Sequence, residues 1–357
     1  MQISRCPLDR LGEVQAFIDT HWRAGHILSR DAELLRWQHR AEGSKLAILI
    51  ATDGTVIRGM LGLIPVAFNL RGRKLPGNWL ALWATAKDSP PALGVQLLGA
   101  AMRSGEFTGV LGANEAAMKV YRGLRWAAID AVPRWIRIGS SDALQKLLGE
   151  QGHRADDVPT AQRATAHTST PSIVDATPQL LSAWDEAWTG RFAARMTGTW
   201  RDGSYLQWRY LDHPRFKYTT RFAVDAAGRI DGCLVYRVIE VPDRATCVVR
   251  AVEFIADGSA AGALAADLAQ AADEADAAFT DFYCTASDVG GTLTEVGFVE
   301  EAAVGTAIPS LLQPIDLSRT RLTAALHVAS NVLSESTQLL SGELYLTRSD
   351  GDQDRPN

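Results

Sequence analysis

The spacing of apolar and polar positions changes period repeatedly along the chain, and each change marks an element. Residues 31–40 (DAELLRWQHR) read as a helix, with Ser29 as its N-cap and acids in the first turn. Strands are predicted at 45–52 and 55–69, joined by Asp53-Gly54, a strong hairpin turn. Arg71-Gly72-Arg73 turns the chain into a strand at 75–86. A helix at 91–103, a strand at 107–113, a helix at 115–124 and a strand at 127–138 follow, so the first half reads ααβββαβαβ.

The second half repeats this order. A helix is expected at 202–211, strands at 218–225, 229–240 and 244–256, a helix at 259–276, a strand at 279–285, a helix at 288–296 and a strand at 298–308. Local matches support a duplication. Leu35-Arg36-Trp37-Gln38 aligns with Leu206-Gln207-Trp208-Arg209, and Ile57-Arg58-Gly59-Met60-Leu61 with Ile230-Asp231-Gly232-Cys233-Leu234. The offset stays near 170 residues from element to element, which is the signature of an internal repeat. Between the repeats, 150–172 is rich in Ala, Thr, Ser, Asp and Pro and has no apolar period, so it reads as a linker. The expected division is an N-terminal domain at 1–149, the linker, a second domain at 173–310, and a C-terminal helix, strand and tail at 311–357.

Composition narrows the class. With 357 residues and 46% apolar positions the chain can bury full cores, and it is long enough for about two domains. The formal net charge of −5 argues against a general nucleic-acid binder but leaves room for a local basic pocket. The N-terminus has no apolar run of signal-peptide length, and the longest apolar stretch, Gly59–Phe68, is too short to span a membrane. The expectation is a cytoplasmic protein without membrane insertion. Cys6, Cys233, Cys247 and Cys284 form no C-x-x-C pair and have no histidine at zinc-ligand spacing, so no metal site is expected and the thiols read as buried and reduced.

Two segments of the first repeat carry chemistry. The strand ending LWATAKDSPP runs into the helix opening ALGVQLLGAAM, and a glycine at such a junction lets backbone N–H groups and the helix dipole face a phosphate. A plain βα loop is the alternative. Next, Asn114, Ala117, Tyr121, Leu124 and Trp126 stand at the spacing N-x-x-A-x-x-x-Y-x-x-L-x-W. On a helix Asn114 sits at the N-terminal end, while Ala117, Tyr121 and Leu124 share a face.

That segment resembles the last block, N-x-x-A-x-x-x-Y-x-x-x-G-F, of the GNAT acyltransferase superfamily, and the order βββαβαβ around it fits the same fold. The resemblance covers both halves. It implies an α/β (α+β) protein of two tandem GNAT-like domains, each a mixed, mostly antiparallel twisted sheet flanked by helices. It further implies an acyl-CoA cosubstrate, with Trp83, Ala84 and Thr85 on the strand that binds pantetheine. Leu93, Gly94 and Val95 would then give loop amides to the pyrophosphate, and Asn114 and Tyr121 match the family block directly. Departures are plain. Ser89 and Ala92 stand where the family loop has a basic or amide residue and a glycine, and Arg125-Trp126 replaces Gly-Phe. In the second repeat the loop begins with Asp257, Leu293 stands at the tyrosine position and Ser287 at the asparagine position, so this repeat is expected to have lost acyl-CoA chemistry.

Trp22-x-x-x-His26-Ile27-Leu28, Leu35-x-Trp37-Gln38-His39 and the ending from Tyr345 resemble tandem GNAT proteins of bacterial surface-polysaccharide synthesis. The implied reaction is N-acylation of a nucleotide-linked amino sugar, with a homodimer left open. Tyr121 is then either the general acid or a core tyrosine, and His26 either the general base or a capping residue. Trp208 reads first as a core anchor, as Trp37 does. Arg71-Gly72-Arg73-Lys74 is either a phosphate-binding tip or a solvated turn. The competing functions are a catalytically degenerate binding module and a tandem acyltransferase with a non-sugar amine acceptor.

Overall fold

The computed structural model describes residues 1–40, 43–149, 171–313, 315–317, 321–340 and 343–355. The first half supplies β1 (Gln2–Pro7), β2 (Lys45–Asp53), β3 (Val56–Leu70), β4 (Arg73–Thr85), β5 (Phe107–Leu111), β6 (Ala127–Ile129) and β7 (Arg134–Ile138). The second supplies β8 (Ser172–Asp175), β9 (Thr197–Thr199), β10 (Thr219–Val224), β11 (Ile230–Val241), β12 (Thr246–Ala256), β13 (Phe279–Tyr283) and β14 (Val299–Glu300). The C-terminal segment adds β15 (Leu311–Leu312), β16 (Ile315–Asp316), β17 (Ala324–Val328) and β18 (Leu344–Tyr345).

The long hairpins form where the turn chemistry places them. Arg71 and Gly72 both have positive φ (51° and 87°), which lets the 15-residue β3 fold directly back into β4. Helices Leu93–Met102 and Glu115–Gly123 then cover one face of the first sheet, burying Leu93, Leu97, Leu98, Met118 and Tyr121.

Two mixed sheets result, one of nine strands ordered β1-β2-β3-β4-β5-β17-β6 with β9 and β18 attached at β3, the other of seven ordered β8-β10-β11-β12-β13-β7-β14, beside a small β15-β16 pair. Along these main orders the positions match, except that each sheet takes its sixth strand from the other half of the chain. β17 lies between β5 and β6, antiparallel to both, and β7 lies between β13 and β14. The sheets therefore do not follow the linear division of the chain. A single strand was expected at 127–138; instead the chain leaves the first sheet after Ile129 and enters the second at Arg134. Pro133, which cannot donate to a ladder, stands immediately before that entry.

Other departures are local. The chain opens on β1 rather than on a helix. Residues 150–170 of the expected linker lie outside the described residues, and its last residue, Ser172, already belongs to β8. The strand expected at 298–308 is two residues long, and the expected C-terminal helix is a single 3-10 turn at Ser336–Leu340.

Residues 343–355 of the C-terminal tail are docked on the second repeat. β18 pairs with β9, Thr347 bridges to Cys284, and Thr347, Ser349, Asp350 and Asp354 are buried. Arg201 donates to Glu253 (2.7 Å) and to Asp350 (2.8 Å), and Arg209 donates to Asp354 (2.6 Å), so buried tail carboxylates pair with buried arginines of the second repeat. All four cysteines are buried free thiols. Among the described residues, no helix is long and apolar enough to cross a membrane.

Candidate active site

β4 and β5 pair in parallel only from Gly77–Leu80 against Phe107–Val110. Beyond that β4 bulges: Met60 faces Ala84 while Gly62 faces Ala81, and Leu82 in the bulge has φ +54° although it is not glycine. The two strands therefore part, and the β5-facing edge of β4 past Leu80 has no strand partner. A cavity of about 480 Å³ opens at the gap. Its walls include Trp83 from β4, Asn114, Ala117 and Tyr121 from the following helix, and Trp22, Arg23 and His26 from the N-terminal segment.

Four of the expected residues thus meet in one place: Trp83, Asn114, Tyr121 and His26. Asn114 is the helix N-cap, its side-chain oxygen accepting from the Ala117 N–H at 2.9 Å. Tyr121 packs between Trp83 (ring centroids 5.8 Å apart) and Trp126 (4.7 Å). No group among the described residues pairs with its hydroxyl. Burial pushes that hydroxyl's pKa above the ordinary tyrosine value, so it stays protonated at neutral pH.

The remaining five, Ala84, Thr85, Leu93, Gly94 and Val95, do not line the cavity. Ala84 and Thr85 pair with Met60 and Gly59 of β3. Leu93 is in the core, Val95 faces solvent, and the Trp83 indole packs on Gly94, donating to its carbonyl at 3.1 Å. The preceding loop contains Pro90 and Pro91, which have no amide hydrogen to offer, and Asp88, whose carboxylate pairs with Arg58 at 2.6 Å. The helix at Leu93 has no side-chain cap.

His26 requires a correction. It caps a short helix: its Nδ1 accepts the Leu28 N–H at 3.2 Å. Burial, then the positive charge of Arg355, lowers its pKa to about 4. At neutral pH the ring is uncharged, with its proton on Nε2 and its only free lone pair already engaged. That arrangement does not serve a general base. The basic hairpin tip is likewise committed: Arg71 pairs with Glu343, Arg73 with Glu106 and Lys74 with Asp202.

The sequence reading missed the residues that the C-terminal segment brings to the cavity: Leu311, Asp316, Asp352 and Gln353. Gly112, at φ +69°, makes room for Gln353, since a Cβ there would lie 2.5 Å from that side chain. The turn glycine was the available signal, but nothing local says which distant residue fills the space. Asp352 pairs with Arg355 at 2.6 Å and interacts electrostatically with His26.

The second repeat keeps an equivalent hollow of about 530 Å³, lined by Phe254, Asp257, Gly258 and Ser287 among others. Arg195 pairs with the loop-opening Asp257 at 2.8 Å, and Leu293, at the position of Tyr121, is a core residue without a hydroxyl. Among the described residues, no group of three or more His, Cys, Asp or Glu could hold a metal ion.

No family model and no curated protein sequence matches the chain. Solved structures do. A GCN5-related N-acetyltransferase from Anabaena variabilis ATCC 29413 is similar at 10% identity, over 92% of this chain and 72% of that one, with a TM-score of 0.60. A GCN5-related N-acetyltransferase from Kribbella flavida matches at 13% identity over 92% and 70%, with a TM-score of 0.54. An N-myristoyltransferase from Saccharomyces cerevisiae, with bound myristoyl-CoA, matches at 11% identity over 91% and 79%, with a TM-score of 0.52. The chain has the mixed α/β fold of the GCN5-related N-acetyltransferases, extended over both halves.

Proposed function

We propose that the chain is an acyl-CoA-dependent N-acyltransferase whose acceptor is the amine of a nucleotide-linked amino sugar. One observation carries the donor half of this reading: the unpaired edge of β4 past its bulge lies beside the Tyr121 hydroxyl, which has no partner among the described residues. A pantetheine arm has two amides and can pair along such an edge as an added strand does. Trp83 is the cavity-lining strand residue for that pairing, with Ala84 and Thr85 continuing the strand beyond the cavity. Leu93, Gly94 and Val95 remain the helix start nearest the expected pyrophosphate.

In this reading the acceptor amine attacks the thioester carbonyl. Its oxygen, as it gains charge, accepts a backbone N–H from the β4 bulge. As the C–S bond breaks, Tyr121 gives its proton to the sulfur so that a neutral thiol leaves, and the phenolate regains a proton through the open cavity before the next turnover. The ammonium of the addition intermediate loses its proton to a wall carboxylate, for which Asp352 is placed. His26 keeps Nε2–H as a donor toward the cavity and fixes the chain leading to Trp22 and Arg23. The amino-sugar acceptor rests on the sequence resemblance of the N-terminal and C-terminal segments.

A second reading is a degenerate binding module, favoured by Pro90 and Pro91 in the loop where pyrophosphate-binding amides are expected. One experiment separates the two. Purified protein is incubated with acetyl-CoA and a panel of nucleotide-linked amino sugars, and free thiol is followed. Thiol release that depends on one sugar supports the transferase. Binding of CoA species without release under any acceptor supports the binding module, and absence of CoA binding sinks both donor assignments.

A further inference from the structure

Behind the active-site cavity lies a second hollow of about 140 Å³. Gly112, Ala113, Asn114, Leu311 and Gln353 line both, so the two share a wall. At about 30 Å³ per water, the smaller one has room for a single oxyanion rather than a whole ligand. Arg348 and Tyr283 form its floor, and Arg321 stands at its exposed side.

Both floor residues are incomplete as they stand. Arg348 is 3% exposed, yet its one hydrogen bond to the described residues runs from Nε to the Gln353 carbonyl at 2.6 Å. No carboxylate among the described residues pairs with its terminal nitrogens. Neighbouring Arg134 and Arg250 share Asp281, and Arg134 also holds Glu301, so those two carboxylates are taken. Arg348 feels the charge of Asp281 but makes no ion pair of its own with it, and a buried guanidinium so placed is costly. Burial and the charge of Arg250 lower the Arg348 pKa to about 10, which leaves it cationic at neutral pH. The Tyr283 hydroxyl is buried with no hydrogen-bond partner among the described residues, and its ring lies 5.1 Å from the Arg348 guanidinium carbon. A buried hydroxyl normally finds a partner.

We infer that Arg348 and Tyr283 form a phosphate subsite for the acceptor, next to the transfer site. This rests on the acyltransferase reading and names the group by which the acceptor is held. A phosphate oxygen pair would take the guanidinium in bidentate fashion, and a third oxygen would accept from Tyr283. The site lies on the second repeat's β13 and on the tail, so the degenerate repeat and the C-terminus recognise the acceptor while the first repeat holds the donor.

The test is titration calorimetry of the full chain with inorganic phosphate, then with uridine diphosphate and with CoA in competition. Wild type is expected to bind phosphate and to release it to uridine diphosphate but not to CoA. Tyr283→Phe should raise the phosphate Kd by about tenfold or more, the loss of one charge-assisted hydrogen bond. It should also keep or raise the melting temperature, since it removes an unpaired buried hydroxyl. Arg348→Gln should abolish phosphate binding, and both variants should bind CoA as wild type does. Displacement of phosphate by CoA assigns the subsite to the donor and overturns the inference. So does phosphate binding that is absent, or that is unchanged in Tyr283→Phe. Failure of the CoA arm in wild type instead sinks the acyltransferase reading, so the two failures are distinct.

Discussion

The indoles of Trp37 and Trp208 lie 5.3 Å apart, and Trp37 Nε1 donates to the Trp208 carbonyl at 3.3 Å. They occupy the same position of the two repeats. A residue that meets its own counterpart sits on the axis relating the repeats, as in an isologous contact between subunits.

The exchange of β7 and β17 between the sheets sets a first expectation. A fragment ending at 149 keeps β6 and the edge of β5 but lacks the β17 strand that joins them. It should be largely insoluble, or expanded by size-exclusion chromatography, because unpaired strand edges associate. Co-expressed with 171–357 it should give a soluble complex of both pieces. A monomeric, cooperatively melting 1–149 fragment would show that the exchange is dispensable.

Removing one member of the buried ion cluster should be severe. Arg201 and Glu253 are fully buried, and Tyr210 and Tyr345 also donate to Glu253. Arg201→Met leaves Glu253 and Asp350 buried without their cation, at a cost of about 3–5 kcal/mol. Urea unfolding should record that loss. A change under about 1 kcal/mol would mean that the tail is not held by this pair.

Tyr121→Phe separates acid catalysis from packing. The hydroxyl has no partner among the described residues, so stability should change little. Turnover should fall by about 10²-fold if the hydroxyl protonates the leaving thiolate, with acyl-CoA affinity retained. Turnover equal to wild type would reduce Tyr121 to a packing residue.

Acid should weaken the fold through buried histidines. His26 and His39 have pKa values near 4 and His213 near 3, in each case because burial disfavours the cation. Their ordinary value is about 6.5. As pH falls from about 6.5 to 4, the unfolded chain takes up protons that these folded sites refuse, so their contribution is lost across that window and, for His213, down to about 3. Above 6.5 they contribute no pH dependence. Buried Glu253, Asp267 and Glu301, whose carboxyls are raised by burial, act in the opposite sense. The histidine part is therefore read by difference. His213 Nδ1 accepts from the Arg215 and Phe216 amides, and His213→Asn keeps an acceptor there. The variant should lose stability less steeply than wild type between pH 6 and 4, by up to about 1.4 kcal/mol per pH unit. Parallel curves would show that His213 titrates normally.

Much of this architecture is written locally. Period-2 apolar runs, Asp53-Gly54 and Arg71-Gly72 mark the β2–β3–β4 meander, and alternation with helices at Leu93 and Glu115 marks the βαβ unit, because side-chain periodicity and turn chemistry act over a few residues. The duplication is legible for the same reason: it is a pattern compared with itself. Asn114 and Tyr121 could be singled out because helix spacing puts them one above the other toward a single face. What the tertiary structure decided are pairings between residues far apart in sequence. Nothing local in 127–138 says that its two ends enter different sheets. Nothing in the polar sequence of the tail says that Arg201, Arg209 and Tyr210 will pair with it. The active-site wall from Asp316, Asp352 and Gln353, and the lone Arg348 beside Tyr283, belong to the same class. Burial of a charge is stable only where a distant partner completes it, and that partner is named by the fold and not by the neighbouring sequence.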